Sequence, residues 1–154
     1  MKNNVETEQQ QIELFGGIFL LANKLQTIGD SYLKEVTTKQ WFLMMIVEQF
    51  GDYHPTLSEV AKEVGSSRQN LKQIALKLQD KGLLIIEKDT KDSRILRLSL
   101  SEKSREFWGK RAEQDKDFIM GLFHELSPDE IGAMWSGFHK LYANICKLGE
   151  KYSE

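Results

Sequence analysis

Two short amphipathic segments stand almost back to back between Thr56 and Leu78, and they constrain the fold more than any other stretch. Pro55-Thr56-Leu57-Ser58-Glu59 has the form of a capping box, Thr56 accepting from the chain three residues on and Glu59 reaching back. The helix it predicts has Leu57, Val60, Ala61 and Val64 on one face. Gly65 follows, suited to the left-handed residue of a tight turn. Ser66-Ser67-Arg68-Gln69 reads as the next capping box, with Ser66 as N-cap and Gln69 as its partner. The second helix then buries Leu71, Ile74, Ala75 and Leu78, and small Ala61 lets it cross the first one closely. This is the pattern of a helix-turn-helix.

The outer face of the second helix carries Ser67, Arg68, Gln69, Asn70, Lys72, Gln73 and Lys77, with no acid before Asp80. A merely solvated face usually mixes Glu among its Lys. Arg matches the paired acceptors of guanine, Asn and Gln match the donor–acceptor edge of adenine, and Lys suits phosphate. After Asp80-Lys81-Gly82, Leu83 to Lys88 reads as a strand. Ile95 to Leu100 reads as another, with Leu96, Leu98 and Leu100 alternating against Arg97 and Ser99. The polar link Asp89-Thr90-Lys91-Asp92-Ser93-Arg94 makes a hairpin tip, hence a winged helix-turn-helix. Its expected nucleic-acid contacts are Ser66, Ser67, Arg68, Gln69, Asn70, Lys72, Gln73 and Lys77 from the helix, and Lys91, Asp92 and Arg94 from the wing. Arg94 suits a narrow minor groove, and Asp92 suits a hydrogen bond that holds Arg94 or the turn.

Charge placement agrees. Tyr53 to Leu100 holds nine cations and six anions, whereas the flanks hold twelve and seventeen. A basic middle between acidic ends points to a polyanion partner for the middle alone.

The flanks read as helices. From Glu8 to about Ile28, Ile12, Phe15, Ile18, Phe19, Ala22 and Leu25 recur at three- and four-residue steps. Thr37 and Gln40 form another capping box, opening the almost wholly apolar and therefore central WFLMMIVEQF, with Gly51 as its stop. Ser101 is an N-cap for a helix to about His124. Ser127, Pro128 and Glu130 start the last helix, where Ile131, Met134, Phe138, Leu141, Ile145 and Leu148 form an a/d seam widened by Trp135 and Tyr142. Such a face needs a partner surface, either the amino-terminal helix or a second subunit, and a homodimer built on both helices is expected.

The fold class that results is mainly α with a small β-hairpin: a winged helix-turn-helix lobe over 37–100, with dimerisation helices at 8–30 and 103–150, in one intertwined domain. The order of elements resembles the MarR family of winged-helix transcriptional regulators over residues of about 10 to 150. The resemblance rests on Leu33-Lys34-Glu35-Val36-Thr37-Thr38-Lys39-Gln40-Trp41, Leu57-Ser58-Glu59-Val60-Ala61 and Leu78-Gln79-Asp80-Lys81-Gly82-Leu83-Leu84. Its most specific part is Asp92-Ser93-Arg94 leading into Leu98-Ser99-Leu100-Ser101, the Asp-x-Arg of the family's wing. Ser101 stands where threonine is usual and Ser104 where glycine is common; neither change removes a DNA-contacting group. The resemblance implies a homodimer of triangular outline whose two lobes contact successive major grooves of a pseudo-palindromic operator, repressing until an effector, an oxidant or a metal intervenes.

Other function classes find less support. No glycine-rich phosphate loop is present, and His54, His124 and His139 fall in no nucleophile or metal motif, so no enzyme, metal or cofactor is expected. Clustering of His124, Asp129, Glu130 and His139 follows no ligand spacing. The lone Cys146 excludes an intrachain disulfide, lies off the seam and reads as a flanking residue rather than a redox sensor. A small apolar or phenolic effector has candidate lining in Phe15, Phe19, Trp41, Met45 and Trp108, with Phe42 and Met44 beside them. Winged helices also serve as protein-interaction modules, but the Arg68/Asn70/Lys72/Gln73 face with Arg94 argues against that use. The polar start MKNNVETEQQQ lacks a secretory pattern and no apolar run spans a bilayer, so a cytoplasmic chain with no membrane partner is expected.

Overall fold

The computed structural model describes residues 2–152, and side chains from Val5 onward. Six helices and two strands follow in the order α1 (Lys2–Leu33), α2 (Thr38–Gln49), α3 (Leu57–Val64), α4 (Arg68–Asp80), β1 (Leu84–Lys88), β2 (Leu96–Leu100), α5 (Glu102–Leu122) and α6 (Pro128–Tyr152). One compact unit ends at Phe107 and a second begins at Trp108, the division falling inside α5.

Short-range chemistry sets most helix starts. Thr37 accepts from the Gln40 amide while Gln40 reaches back to the Thr37 amide; Thr56 and Glu59 do the same for α3. In the second unit, Ser127 and Glu130 repeat the device for α6. Each satisfies two amides that the first turn of a helix leaves without partners. Ser101 caps α5 through the Ser104 amide. The start of α4 differs from expectation: its N-cap is Ser67, accepting from the Asn70 amide at 3.2 Å, and not Ser66. Ser66 instead accepts from the Asn70 side-chain amide at 3.0 Å. Two adjacent serines offer the same local chemistry, and Asn70 can engage both, so the helix begins one residue later. Gly65 ends α3 at φ 66°, and its amide and that of Ser66 close the helix on Lys62 and Ala61 carbonyls.

The first unit is built around α2, which is flanked by α1, α3, α4 and β2. Leu43, Met44, Leu57, Val60, Leu71, Leu78, Leu84 and Leu98 are among its largest fully buried apolar side chains. Strands β1 and β2 pair antiparallel, Leu84 opposite Leu100 and Lys88 opposite Leu96. A third extended piece, missed by the sequence reading, joins them: Thr56 bridges Arg97, and the Leu98 amide donates to the Pro55 carbonyl at 2.9 Å. The hairpin is thereby sewn to the start of α3.

Helix α1 is longer than the span of 8 to about 28 read from its stripe, because Glu, Gln and Thr continue the helix with no apolar face to mark it. Near its end Gly29 is buried against α2: a Cβ there would run into the Thr38 hydroxyl. That hydroxyl donates to the Gln26 carbonyl at 3.1 Å, and Asp30 accepts from the Thr38 amide at 2.6 Å. The joint between α1 and α2 thus leaves room only for glycine. Helix α5 ends at Leu122, two residues before its expected limit.

In the second unit, α6 buries none of its residues within the chain. Trp135 is 69% and Phe138 59% exposed, and Ile131, Met134, Leu141, Ile145 and Leu148 are exposed beside them. On α1, in the first unit, Ile12, Phe15, Phe19, Leu25 and Ile28 are exposed too.

Candidate nucleic-acid interface

Helix α4 lies with Leu71, Ala75 and Leu78 buried and with Arg68, Gln69, Asn70, Lys72, Gln73 and Lys77 exposed. Counting about 100° per residue, Gln69, Gln73 and Leu76 stand opposite the buried stripe, with Lys72 and Lys77 to either side. Arg68 and Asn70 flank the helix start. Leu76, absent from the sequence reading because it fits neither the stripe nor a polar role, is 36% exposed on this outward face. An aliphatic side chain there suits the methyl group of thymine. Asn70 is less available than its exposure suggests, since its amide nitrogen already donates to Ser66.

The wing tip is organised by two carboxylates. Asp92 takes the Arg94 amide and Nε at 3.0 Å on one oxygen and Nη2 at 2.9 Å on the other. Aspartate two residues before arginine therefore forms a two-point clamp, the geometry suggested by the spacing. The Arg94 side chain remains 88% exposed. Its hydrogen bonds to Asp92 lower the Asp92 pKa from the ordinary value. Asp89 does the rest: one oxygen accepts from the amides of Lys91 at 2.8 Å and Asp92 at 3.1 Å, the other from Arg97 Nε. The sequence places Asp89 in the hairpin tip and Arg97 on the second strand, but gives neither a part in the site. A carboxylate followed two and three residues on by polar residues is a turn signal that would have found Asp89.

Arg97, helped by the Lys91 and Asp92 amides, holds the Asp89 carboxyl at about 2, below the ordinary aspartate value of 3.8. A carboxyl whose pKa is lower folded than unfolded stabilises the fold above pH 3.8 and loses that contribution as pH falls from 3.8 toward about 2. Wild-type protein should therefore lose its urea midpoint more steeply than Asp89→Asn through that window. Parallel curves would show that the carboxylate contributes nothing.

The effector candidates occupy varied sites. Phe15 and Phe19 meet edge to face on α1, centroids 5.2 Å apart, and both are exposed. Phe42 is exposed, Trp41 and Met45 are half-buried, and Met44 is wholly buried in the core rather than available to a ligand. The Trp41 indole nitrogen is buried without a hydrogen-bond partner. Trp108 is half-buried at the start of the second unit. Cys146 is exposed. No group of three or more metal-ligating side chains occurs among the described residues, and no described helix is long and apolar enough to cross a membrane.

A helix-turn-helix closed by a two-stranded hairpin, with long helices before and after it, defines a winged-helix fold. Solved structures with the same fold include MarR-family regulators. A MarR protein from Peptoclostridium difficile DA00132 superposes with a TM-score of 0.79 at 18% identity, covering 90% of this chain and 90% of that one. A mutant MarR from E. coli complexed with operator DNA gives 0.74 at 18% identity, over 86% and 95%. BpsR from Bordetella bronchiseptica, whose DNA binding is regulated by 6-hydroxynicotinic acid, gives 0.70 at 17% identity, over 84% and 98%. No protein-family model matches the sequence, and no curated protein does. The chain has the MarR-type winged-helix fold.

Proposed function

We propose that this chain is a MarR-type transcriptional regulator that binds double-stranded DNA by sequence, as a cytoplasmic homodimer on a pseudo-palindromic operator. The observation that carries the reading is the outward face of α4, free of acids from Arg68 to Gln79 and set in the same lobe as the clamped Arg94. That face has the donors and acceptors of major-groove reading, and the wing presents a guanidinium suited to a narrow minor groove. The lobe of 37–100 is the DNA-binding part, with Ser66, Ser67, Arg68, Gln69, Asn70, Lys72, Gln73, Lys77, Lys91, Asp92 and Arg94 as its contacts.

The dimerisation helices are 8–30 and 103–150. What supports this is the apolar seam of α6, from Ile131 to Leu148, which the chain itself does not cover. The regulator represses, and it answers a small apolar or phenolic effector, for which Phe15, Phe19, Trp41 and Met45 are the candidate contacts in the first unit. The unpartnered Trp41 indole N–H supports a ligand with a hydrogen-bond acceptor.

Selection of bound duplexes from a random pool tests the whole reading. An inverted repeat with half-sites about 10 bp apart, centre to centre, is expected, since a two-fold protein matches one helical turn. Recovery of no consensus, or of a single asymmetric half-site, would overturn it.

A further inference from the structure

The wing tip is tied to the helix-turn-helix by a chain of hydrogen bonds that crosses 44 positions of sequence. It starts at the tip, where Asp89 gathers the Lys91 and Asp92 amides. Arg97 takes the other Asp89 oxygen through Nε. Its Nη1 donates to the His54 carbonyl at 2.7 Å and to the Tyr53 hydroxyl at 3.4 Å, and the guanidinium lies over the Tyr53 ring, 5.6 Å from its centroid. The Tyr53 hydroxyl donates to Glu59 at 2.9 Å, and Glu59 accepts from the Thr56 amide at 2.7 Å, closing the cap of α3. At the ion pair the side chains are only 31% and 10% exposed for Arg97 and Asp89, so solvent screens it less than a surface pair.

We propose that Arg97 and Asp89 are positioning residues of the wing, which fix the tip, and with it Arg94, at a set place relative to α3 and α4. The proposal rests on the reading of the lobe as DNA-binding. The strands alternate, so Arg97 points to the opposite face of β2 from the buried Leu98 and takes no part in the apolar core. Hairpins of two five-residue strands are marginal by themselves. The core holds the base of this one; the Arg97 chain holds its tip. Losing the chain leaves the lobe folded and the tip without a fixed place. Arg94 then reaches its groove only by paying ordering entropy on binding.

The test uses the full chain with Arg97→Met, which keeps the stem, Arg97→Lys, which keeps the charge, and Asp89→Asn. Hydrogen exchange should show the Lys91 and Asp92 amides losing protection about tenfold in Arg97→Met, worth ~1.4 kcal/mol, while the α3 and α4 amides keep theirs. Retained protection at the tip would overturn the proposal. Should Arg97→Met fail to fold, Asp89→Asn gives the same reading. On the duplex recovered by selection, Arg97→Met should weaken binding about tenfold in the wild type and less than about twofold in an Arg94→Ala background, because it acts through Arg94. Arg97→Lys should restore part of the loss. Equal losses in both backgrounds would overturn the positioning role. If the wild type binds no duplex, the functional reading falls, and exchange alone decides whether Arg97 and Asp89 order the tip.

Discussion

Leu98→Ala should lower the unfolding free energy by about 2–5 kcal/mol, near the top of that range, in urea titrations at matched protein concentration. Leu98 is fully buried in β2. It is opposite Ile86 on one side, and its amide bonds the Pro55 carbonyl on the other. Helices α2 and α3 both pack on this strand. A strand held along both edges cannot move inward to fill the space that the lost side chain leaves, so the cavity term is retained. A one-residue slip would rescue nothing, because it would bring Arg97 or Ser99 into the core. Leu100→Ala, at a half-buried position of the same strand, should cost clearly less. A loss under about 1 kcal/mol for Leu98→Ala would mean that the hairpin is not part of the cooperative core.

Much of the lobe was readable because its signals are local. Thr37 with Gln40, Thr56 with Glu59, and Ser127 with Glu130 each place a helix start within four residues of chain, and Gly65 places a stop. The alternation of Leu96, Leu98 and Leu100 gave β2 without any knowledge of its partner. Reading went wrong where two choices were locally equal, as at Ser66 and Ser67, and where nothing local marked a limit, as in the polar start of α1. It also passed over Leu76, since an apolar residue on a polar, exposed face belongs to neither pattern. The site was legible in half. Aspartate and arginine two apart suggest their own pairing, and Asp92 and Arg94 make it. Arg97 meets Tyr53 and His54 only after the chain has folded back over more than forty residues, and no spacing in the sequence encodes that meeting.

Arg68→Ala combined with Gln73→Ala should cost about 2–6 kcal/mol on the selected operator, each change contributing roughly 1–3 kcal/mol. The two positions lie five residues apart on α4, one beside the cap and one facing outward, with no shared partner, so their effects should nearly add. On a shuffled duplex the double variant should lose far less, since only the Arg68 charge meets phosphate there. Asn70→Ala belongs near the lower end of the range. Its side chain is already bonded to Ser66, so binding DNA must exchange one hydrogen bond for another. Lys72→Ala separates the two kinds of contact: it should weaken operator and shuffled duplex alike and lower the slope of log affinity against log salt by about one per half-site. Affinities measured for both duplexes at several salt concentrations check all four variants together. Arg68 and Gln73 are readers only if the ratio between the duplexes collapses. An equal loss on both, with the ratio kept, would move sequence reading away from α4 and leave its polar face as a phosphate platform.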